Sequence, residues 1–387
     1  MLYVTLLDQF HPGIYSSQVI DVCNYLNEKH NAKIRLCAFL SIREIKTAKP
    51  KIKELSPNAI VLPAFPGIAN FQLTAIFLFF VCLFKRERVL ICRNVFCSKT
   101  ALLVKKTGVI KKVILDGRSA YEAEIREYDS FPHPYLKQNV LAIEKAVVNT
   151  VDFRIAVSQK LVNYWKEKYR YSSNKHVVIP CTLDNKVVAE NFNSIENNNK
   201  IKSELGILSD DILIAYAGST AAWQSFKLME SFLEPLLKSN SRIKVLFLSN
   251  ENEDNLRMKS DFPDRIIIKW LNHGQVSSYL SCADYGLLLR EQSDTNLVAS
   301  PTKFAEYLNS GLKVIISKNL GDFSDFVTKN NCGIVISSVE DKFNVEKTSI
   351  EEKVRLQGLA NNYFRKYSKE IDIQYFELTQ FALNNNN

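Results

Sequence analysis

The feature that most restricts this chain is an alternation, run twice, between short apolar β-branched segments and helix-length patterns. Up to residue 180, LYVTLL (2–7), KIRLCAF (33–39), AIVLP (59–63), RVLICR (88–93), KVILD (112–116), FRIAVS (153–158) and HVVIP (176–180) read as strands. Beyond residue 200 the series restarts with DILIAYAG (211–218), IKVLFLS (243–249), RIIIKW (265–270), ADYGLLL (283–289), LKVIIS (312–317) and GIVIS (333–337). Strands separated in this way pair in parallel, with crossover helices on both faces of the sheet. Between the two series, CTLDNKVVAENFNSIENNNK (181–200) is Asn-rich and aperiodic, as a linker would be. The expected class is α/β, with two Rossmann-like domains facing each other across a cleft. Their expected limits are 1–185 and 201–350, joined by a linker over 186–200 and followed by C-terminal helices over 351–384. A length of 387 residues suits two domains of ordinary size.

Parallel sheets collect ligands beyond the carboxyl ends of their strands, so the loops there hold the candidate site residues. The richest stretch is LVASPTKFAEYLNSGLKVIIS (297–317). Ser300 is expected to cap a helix, Pro301 to sit in its first turn, and Gly311 to end it. At 3.6 residues per turn Phe304 and Leu308 share one face, and Thr302, Lys303 and Glu306 another. The N-terminus of such a helix offers N–H groups and partial positive charge to an anion such as a diphosphate, and Lys303 adds a full charge. Glu306 can accept hydrogen bonds from sugar hydroxyls. A plain surface helix with both side chains solvated is the competing reading. Gly218 would let the loop after its strand approach the phosphates, and Arg290 ends a strand as a second cation. In the first half, DQFHPGIYSS (8–17) presents Gly13 and Ser16 ahead of a helix, suited to an acceptor or a phosphate. After the fifth strand, DGRSAYEAEIREY (116–128) brings Asp116, Arg118, Glu122 and Glu124 to the same edge. A carboxylate there could orient or deprotonate an acceptor hydroxyl, and Arg118 could pair with phosphate. The glutamates could equally line a solvated helix face.

Composition removes several classes. There is no GxGxxG for a dinucleotide, no CxxC pair among the eight cysteines, and no Asp-x-Asp or histidine cluster suggesting a metal. The scattered cysteines read as small buried hydrophobes of a reducing compartment. Residues 1–185 carry 27 Lys and Arg against 15 Asp and Glu, a surplus of +12, and the rest 23 against 26, or −3. A basic first half suits phospholipid headgroups or a lipid diphosphate. No zinc-finger spacing, RNP-type aromatic pattern or arginine-rich arm points to nucleic acid. The start, MLYVTLLDQF, reads as a strand and not a signal peptide. The run AIFLFFVCLF (75–84) is too short to span a bilayer comfortably and is expected as a buried helix. Its alternative is a helix lying in a membrane interface, with Lys85, Arg86 and Arg88 at headgroup level. The terminal LNNNN is expected to be disordered.

SPTKFAEYLNSGLKVII resembles the nucleotide-sugar motif of bacterial glycosyltransferases of the GT-B type, in particular the large retaining family four of surface-polysaccharide synthesis. AYAGSTAAWQSF (215–226), YLSCADYGLLLR (279–290) and NLGDFSDFV (319–327) resemble flanking motifs of that family in the same order. GIYSSQV (13–19), ILDGRSAYEAE (114–124) and RIAVSQKLVNYW (154–165) are similar less sharply. The resemblance implies transfer of a sugar from a nucleotide donor to a saccharide or lipid-linked saccharide, and the charge of Lys303 and Arg290 beside the helix N-terminus would remove the need for a metal or other cofactor. The basic first half suits a cytoplasmic enzyme peripheral on the inner face of the membrane, and the GT-B resemblance implies a last helix that packs back on the first domain. The resemblance gives Glu306 to the ribose and the Trp270–His273 loop to the base, while the residues themselves put Asp116, Arg290 and Lys303 forward for catalysis. Ser219, Trp223, Ser300, Pro301 and Thr302 would complete the donor site, and Gly13, Ser16, Arg118 and Glu122 the acceptor side. The chain departs from the pattern at Val298, where a glutamate is usual, and at Ser219 and the AWQS around Trp223, where Arg and Lys are usual. Two other readings keep the fold: a sugar-nucleotide epimerase, and an inactive scaffold of a polysaccharide-assembly complex.

Overall fold

A computed structural model describes residues 1–7, 10, 12–130, 133–183, 195–218, 225–338, 341 and 343–384, with Pro12, Ile14, Ile195, Glu196 and His273 described by backbone alone. The chain divides into two compact units. The first comprises Met1–Asp184, Val298–Ser300 and Lys369–Asn387, and the second Asn185–Leu297 and Pro301–Ser368.

The first unit is built on seven parallel strands: β1 (Leu2–Leu6), β2 (Arg35–Leu40), β3 (Ile60–Pro63), β4 (Val89–Arg93), β5 (Lys112–Gly117), β6 (Phe153–Ala156) and β7 (His176–Val178). Their order is β3-β2-β1-β4-β5-β6-β7. The two-residue period of a strand sends Leu2, Val4 and Leu6 to one face and Tyr3 to the other. The first face packs under the helices Val95–Lys105 and Pro134–Thr150. The second packs under Asp21–His30 and Lys369–Leu383. That last helix is fixed by Asp372, which pairs with His30 at 3.0 Å and accepts a hydrogen bond from Tyr25. At its far end Lys112 donates to the carbonyls of Phe381 and Asn384, each at 2.6 Å.

The second unit carries β8 (Ile212–Ala217), β9 (Ile243–Leu248), β10 (Ile266–Ile268), β11 (Tyr285–Leu288), β12 (Lys313–Ser317) and β13 (Gly333–Ile336). All pair in parallel in the order β10-β9-β8-β11-β12-β13. In both sheets the winding reverses beside the first strand, between β1 and β4 and between β8 and β11. Every predicted strand is present, and the two parallel α/β sheets bear out the expected fold class.

Three local expectations change. The helix of the 297–317 stretch runs over Thr302–Asn309 with Pro301 at its N-cap, and no side chain caps it. Ser300 instead accepts the amide N–H of Cys181 at 2.9 Å and is counted with the first unit. Gly311 does take the left-handed conformation, with φ +78°. Within the stretch read as a linker, residues from Ile195 form the helix Ile195–Glu204. The helix Ala75–Lys85, expected to be buried, buries only Leu78 and Cys82. Of the terminal LNNNN, 385–387 lie outside the described residues. Of the C-terminal helices, Ile350–Tyr363 falls in the second unit and Lys369–Leu383 in the first.

Candidate active site

Three side chains and one glycine converge in the second unit where the winding reverses. Tyr216 lies near the end of β8, Gly218 just beyond it, Arg290 two residues past β11, and Lys303 in the first turn of the helix Thr302–Asn309. One residue holds that helix in place. The Tyr307 hydroxyl donates to the carbonyl of Leu287 in β11 at 3.2 Å and accepts the N–H of Ala217 in β8 at 3.0 Å, so it ties the helix to both strands. Its ring fits because residue 286 is glycine: a Cβ there would come within 2.3 Å of the ring. Phe304 and Leu308 are fully buried, as the helical spacing predicts.

This anchoring sets Lys303, one turn earlier, against Tyr216. The ammonium stands 4.6 Å from the centre of the Tyr216 ring and 3.5 Å from its hydroxyl. A Cβ at position 218 would lie 1.7 Å from Nζ. The space in front of Gly218, expected to admit the phosphates, is therefore filled by Lys303. Burial and the nearby charge of Arg290, against the opposing pull of Glu306, bring the Lys303 pKa down to about 7. Glu306 is half-buried and acts on Lys303 through space.

Arg290 is 8% exposed. Its backbone N–H donates to Ser317 Oγ at 2.8 Å, and its guanidinium reaches Asn296 Oδ1 at 3.3 Å. Asn296 also binds the Glu291 carbonyl through its side chain and, through its own carbonyl, the N–H of Gly321. The loop after β11 is thereby closed on itself, and Ser225 accepts the N–H of Glu291 beside it. Thr302 opens the helix half-buried, and Trp270, after β10, is 62% exposed, so its ring face is open to a stacking partner. His273 begins the helix His273–Leu280, and its side chain, like Ser219 and Trp223, lies outside the described residues.

The first unit corrects the assignments of Asp116, Arg118 and Glu122. Asp116, expected as a catalytic carboxylate, has no exposed surface. It pairs with Arg118 at 2.7 Å and Arg93 at 3.8 Å and accepts a hydrogen bond from Tyr3. A carboxylate enclosed by two guanidiniums and a phenol is not available to an acceptor hydroxyl, and Arg118 is committed to it. Glu122, expected on the acceptor side, pairs with Lys168 and with Arg126 at 3.1 Å and takes a hydrogen bond from Tyr164. Although burial opposes it, the bonds from Lys168 and Tyr164 hold the Glu122 carboxyl below its ordinary range. Gly13 and Ser16 sit at the start of the winding that leads to Ile20, where Ser17 Oγ donates to the Gly13 carbonyl at 2.9 Å. Asp8 and His11 of that loop lie outside the described residues. Val298, where the resembling family has glutamate, is fully buried in the core of the first unit, and its carbonyl accepts Ser158 Oγ at 2.7 Å.

Tyr216, Tyr307 and Asn296 were not legible as site residues. Each follows from tertiary contacts, although Tyr216 and Tyr307 stand inside the quoted motifs. Glu144 was likewise unforeseen. Buried on the helix Pro134–Thr150, it accepts the N–H groups of Tyr121 at 3.2 Å and Glu122 at 2.8 Å, and burial raises its pKa to about 7.

Residues 232–376 match the family model of the glucosyltransferase 3-like C-terminal domain. No curated protein matches the chain significantly. Among solved structures, HepE of Anabaena, crystallised with UDP and glucose, aligns at TM-score 0.69 over 98% of both chains with 12% identity. A glycosyltransferase from Rickettsia africae aligns at 0.69 over 99% of both with 14% identity. Sucrose-phosphate synthase of Thermosynechococcus elongatus aligns at 0.66 over 99% of both with 12% identity. These likenesses extend over nearly the whole chain, and the fold is that of the GT-B glycosyltransferases.

Proposed function

We propose that the protein transfers a glycosyl group from a nucleotide-sugar donor to a saccharide or lipid-linked saccharide acceptor, in the synthesis of a bacterial surface polysaccharide. The observation that carries this reading is the pairing of Lys303 and Arg290 at the reversal between β8 and β11, beside the N-terminus of the helix Thr302–Asn309. A departing diphosphate develops negative charge, and two fixed cations with helix N–H groups are suited to stabilise it. Those cations would make a metal unnecessary. Glu306 would accept from the ribose and Trp270 would stack on the base. Retention at the anomeric carbon follows from the family resemblance. The surplus of basic residues before 185 favours a cytoplasmic enzyme held peripherally at the inner face of the membrane.

A panel of nucleoside diphosphates and their sugars tests the reading. A nucleotide at a hundred times its Kd stabilises by about 2.7 kcal/mol in thermal unfolding. Slow release of free nucleoside diphosphate from one sugar nucleotide is expected. An isomerised donor would replace the transferase by an epimerase, and neither binding nor turnover would leave the scaffold.

A further inference from the structure

The crossover from β3 to β4 contains the 3-10 segment Ile68–Thr74 and the helix Ala75–Lys85. Opposite its buried Leu78 and Cys82, the helix presents Ile76, Phe77, Phe80, Leu83 and Phe84, all between 38% and 75% exposed. They recur at three- and four-residue steps, so they form one stripe rather than scattered exposures. The stripe borders a groove of about 310 Å³ lined by Ile60, Leu62, Phe77, Phe80, Val81 and Phe84, with Lys85 at its end. Ile60 and Leu62 belong to β3, the outermost strand of its sheet.

Basic side chains frame this face. Lys85 and Arg86 follow the stripe directly and are exposed. Lysine is depleted from the cores of protein interfaces, whereas an anionic bilayer offers hydrocarbon and phosphate at neighbouring depths. Ile68–Lys85 has the length and apolarity of a membrane span, 18 residues at mean hydropathy 1.8. It cannot cross, because β3 and β4 are parallel strands of one sheet and hold both ends of the crossover on the same side. The α-helical part also rises only about 16 Å against a hydrocarbon core of about 30 Å.

We propose that the helix Ala75–Lys85 is an in-plane membrane anchor: its Phe77, Phe80 and Phe84 face enters the acyl boundary of an anionic bilayer while Lys85 and Arg86, which follow it directly, meet lipid phosphates. This rests on the peripheral-membrane reading above and names the element that carries it.

The test is co-sedimentation of the full-length protein with vesicles of phosphatidylcholine alone or with about one-third phosphatidylglycerol, for wild type and the double variant Phe80→Ser with Phe84→Ser. Both side chains are exposed, so thermal unfolding should be unchanged. The anchor predicts preference for the anionic vesicles and at least a tenfold loss of partitioning in the double variant. It also predicts wild-type binding that weakens but persists as salt is raised several-fold. A Phe84→Trp variant should show quenching by bromine-labelled acyl chains in excess of the wild type. If the double variant binds as well as wild type and salt strips both, adsorption through basic residues survives and the anchor is overturned. If wild type binds neither vesicle, the membrane reading and the anchor fall together. If the double variant splits a wild-type dimer and lipid binding is absent, the stripe is a self-association surface and the anchor is again refuted.

Discussion

Lys303 holds its ammonium 4.6 Å from the centre of the Tyr216 ring, in space that exists because residue 218 has no side chain. The π-face of Tyr216 favours the cation, while burial and Arg290 oppose it, and the balance leaves the Lys303 pKa at about 7. The amine is thus poised to gain a proton when an anion arrives. This coupling is the source of the first two predictions.

Binding of a nucleoside diphosphate should take up a proton near neutral pH. Between pH 7 and 9 the ligand's own charge is nearly constant, its last phosphate ionising near about 6. Affinity should fall by up to about tenfold for each pH unit above 7. Calorimetry in buffers of different ionisation enthalpy reads the proton directly, and a pH-independent Kd would separate Lys303 from the phosphates.

Lys303→Met should lose nucleotide binding yet gain stability at pH 7 without ligand. The folded-state pKa is lowered, so the cost of holding the charge is absent above the unfolded value near 10.5 and full below about 7. Urea unfolding of both proteins at pH 7 and pH 9.5 should show the advantage of the variant shrinking at the higher pH.

Arg290→Ala combined with Lys303→Ala should abolish turnover. Loss of one preorganised electrostatic partner commonly costs about 10²- to 10³-fold in rate. Activity of the wild type should survive EDTA. Near-normal turnover in the double variant, or loss of wild-type activity on chelation, would move the diphosphate elsewhere.

Asp116→Asn should act on stability before chemistry. The substitution removes the buried carboxylate that Arg118 and Arg93 face, a change that costs about 3–5 kcal/mol. Denaturant unfolding should show that loss. A variant as stable as wild type but inactive would restore Asp116 to catalysis.

Glu144→Gln should flatten part of the dependence of stability on pH. The folded-state pKa is raised, so the contribution of Glu144 is full below its unfolded value near 4.5 and is lost as pH rises through about 7. The difference in unfolding free energy between wild type and variant, followed from pH 4.5 to 7.5, should drift in favour of the variant.

The sequence by itself determined the strands, their parallel pairing and the two-unit α/β class, because β-branched apolar runs separated by helical periods have few other ways to bury themselves. It also determined that the stretch around Lys303 and Glu306 forms a helix with its apolar residues inward, since Phe304 and Leu308 fall one turn apart. Only the tertiary structure decided what each polar group meets. Asp116 and Arg118 stand two residues apart at the end of β5, and nothing local says that Tyr3 and Arg93 close over the carboxylate from β1 and β4. Ser300 looked like a cap because a hydroxyl preceded a proline, but the amide of Cys181 claims it, and the helix begins at Thr302 without a side-chain cap. The fate of residues 75–84 was likewise open, because a run apolar on every side carries no periodic signal of which face is covered. The sheet covers the Leu78 and Cys82 side and leaves Phe77, Phe80 and Phe84 outside.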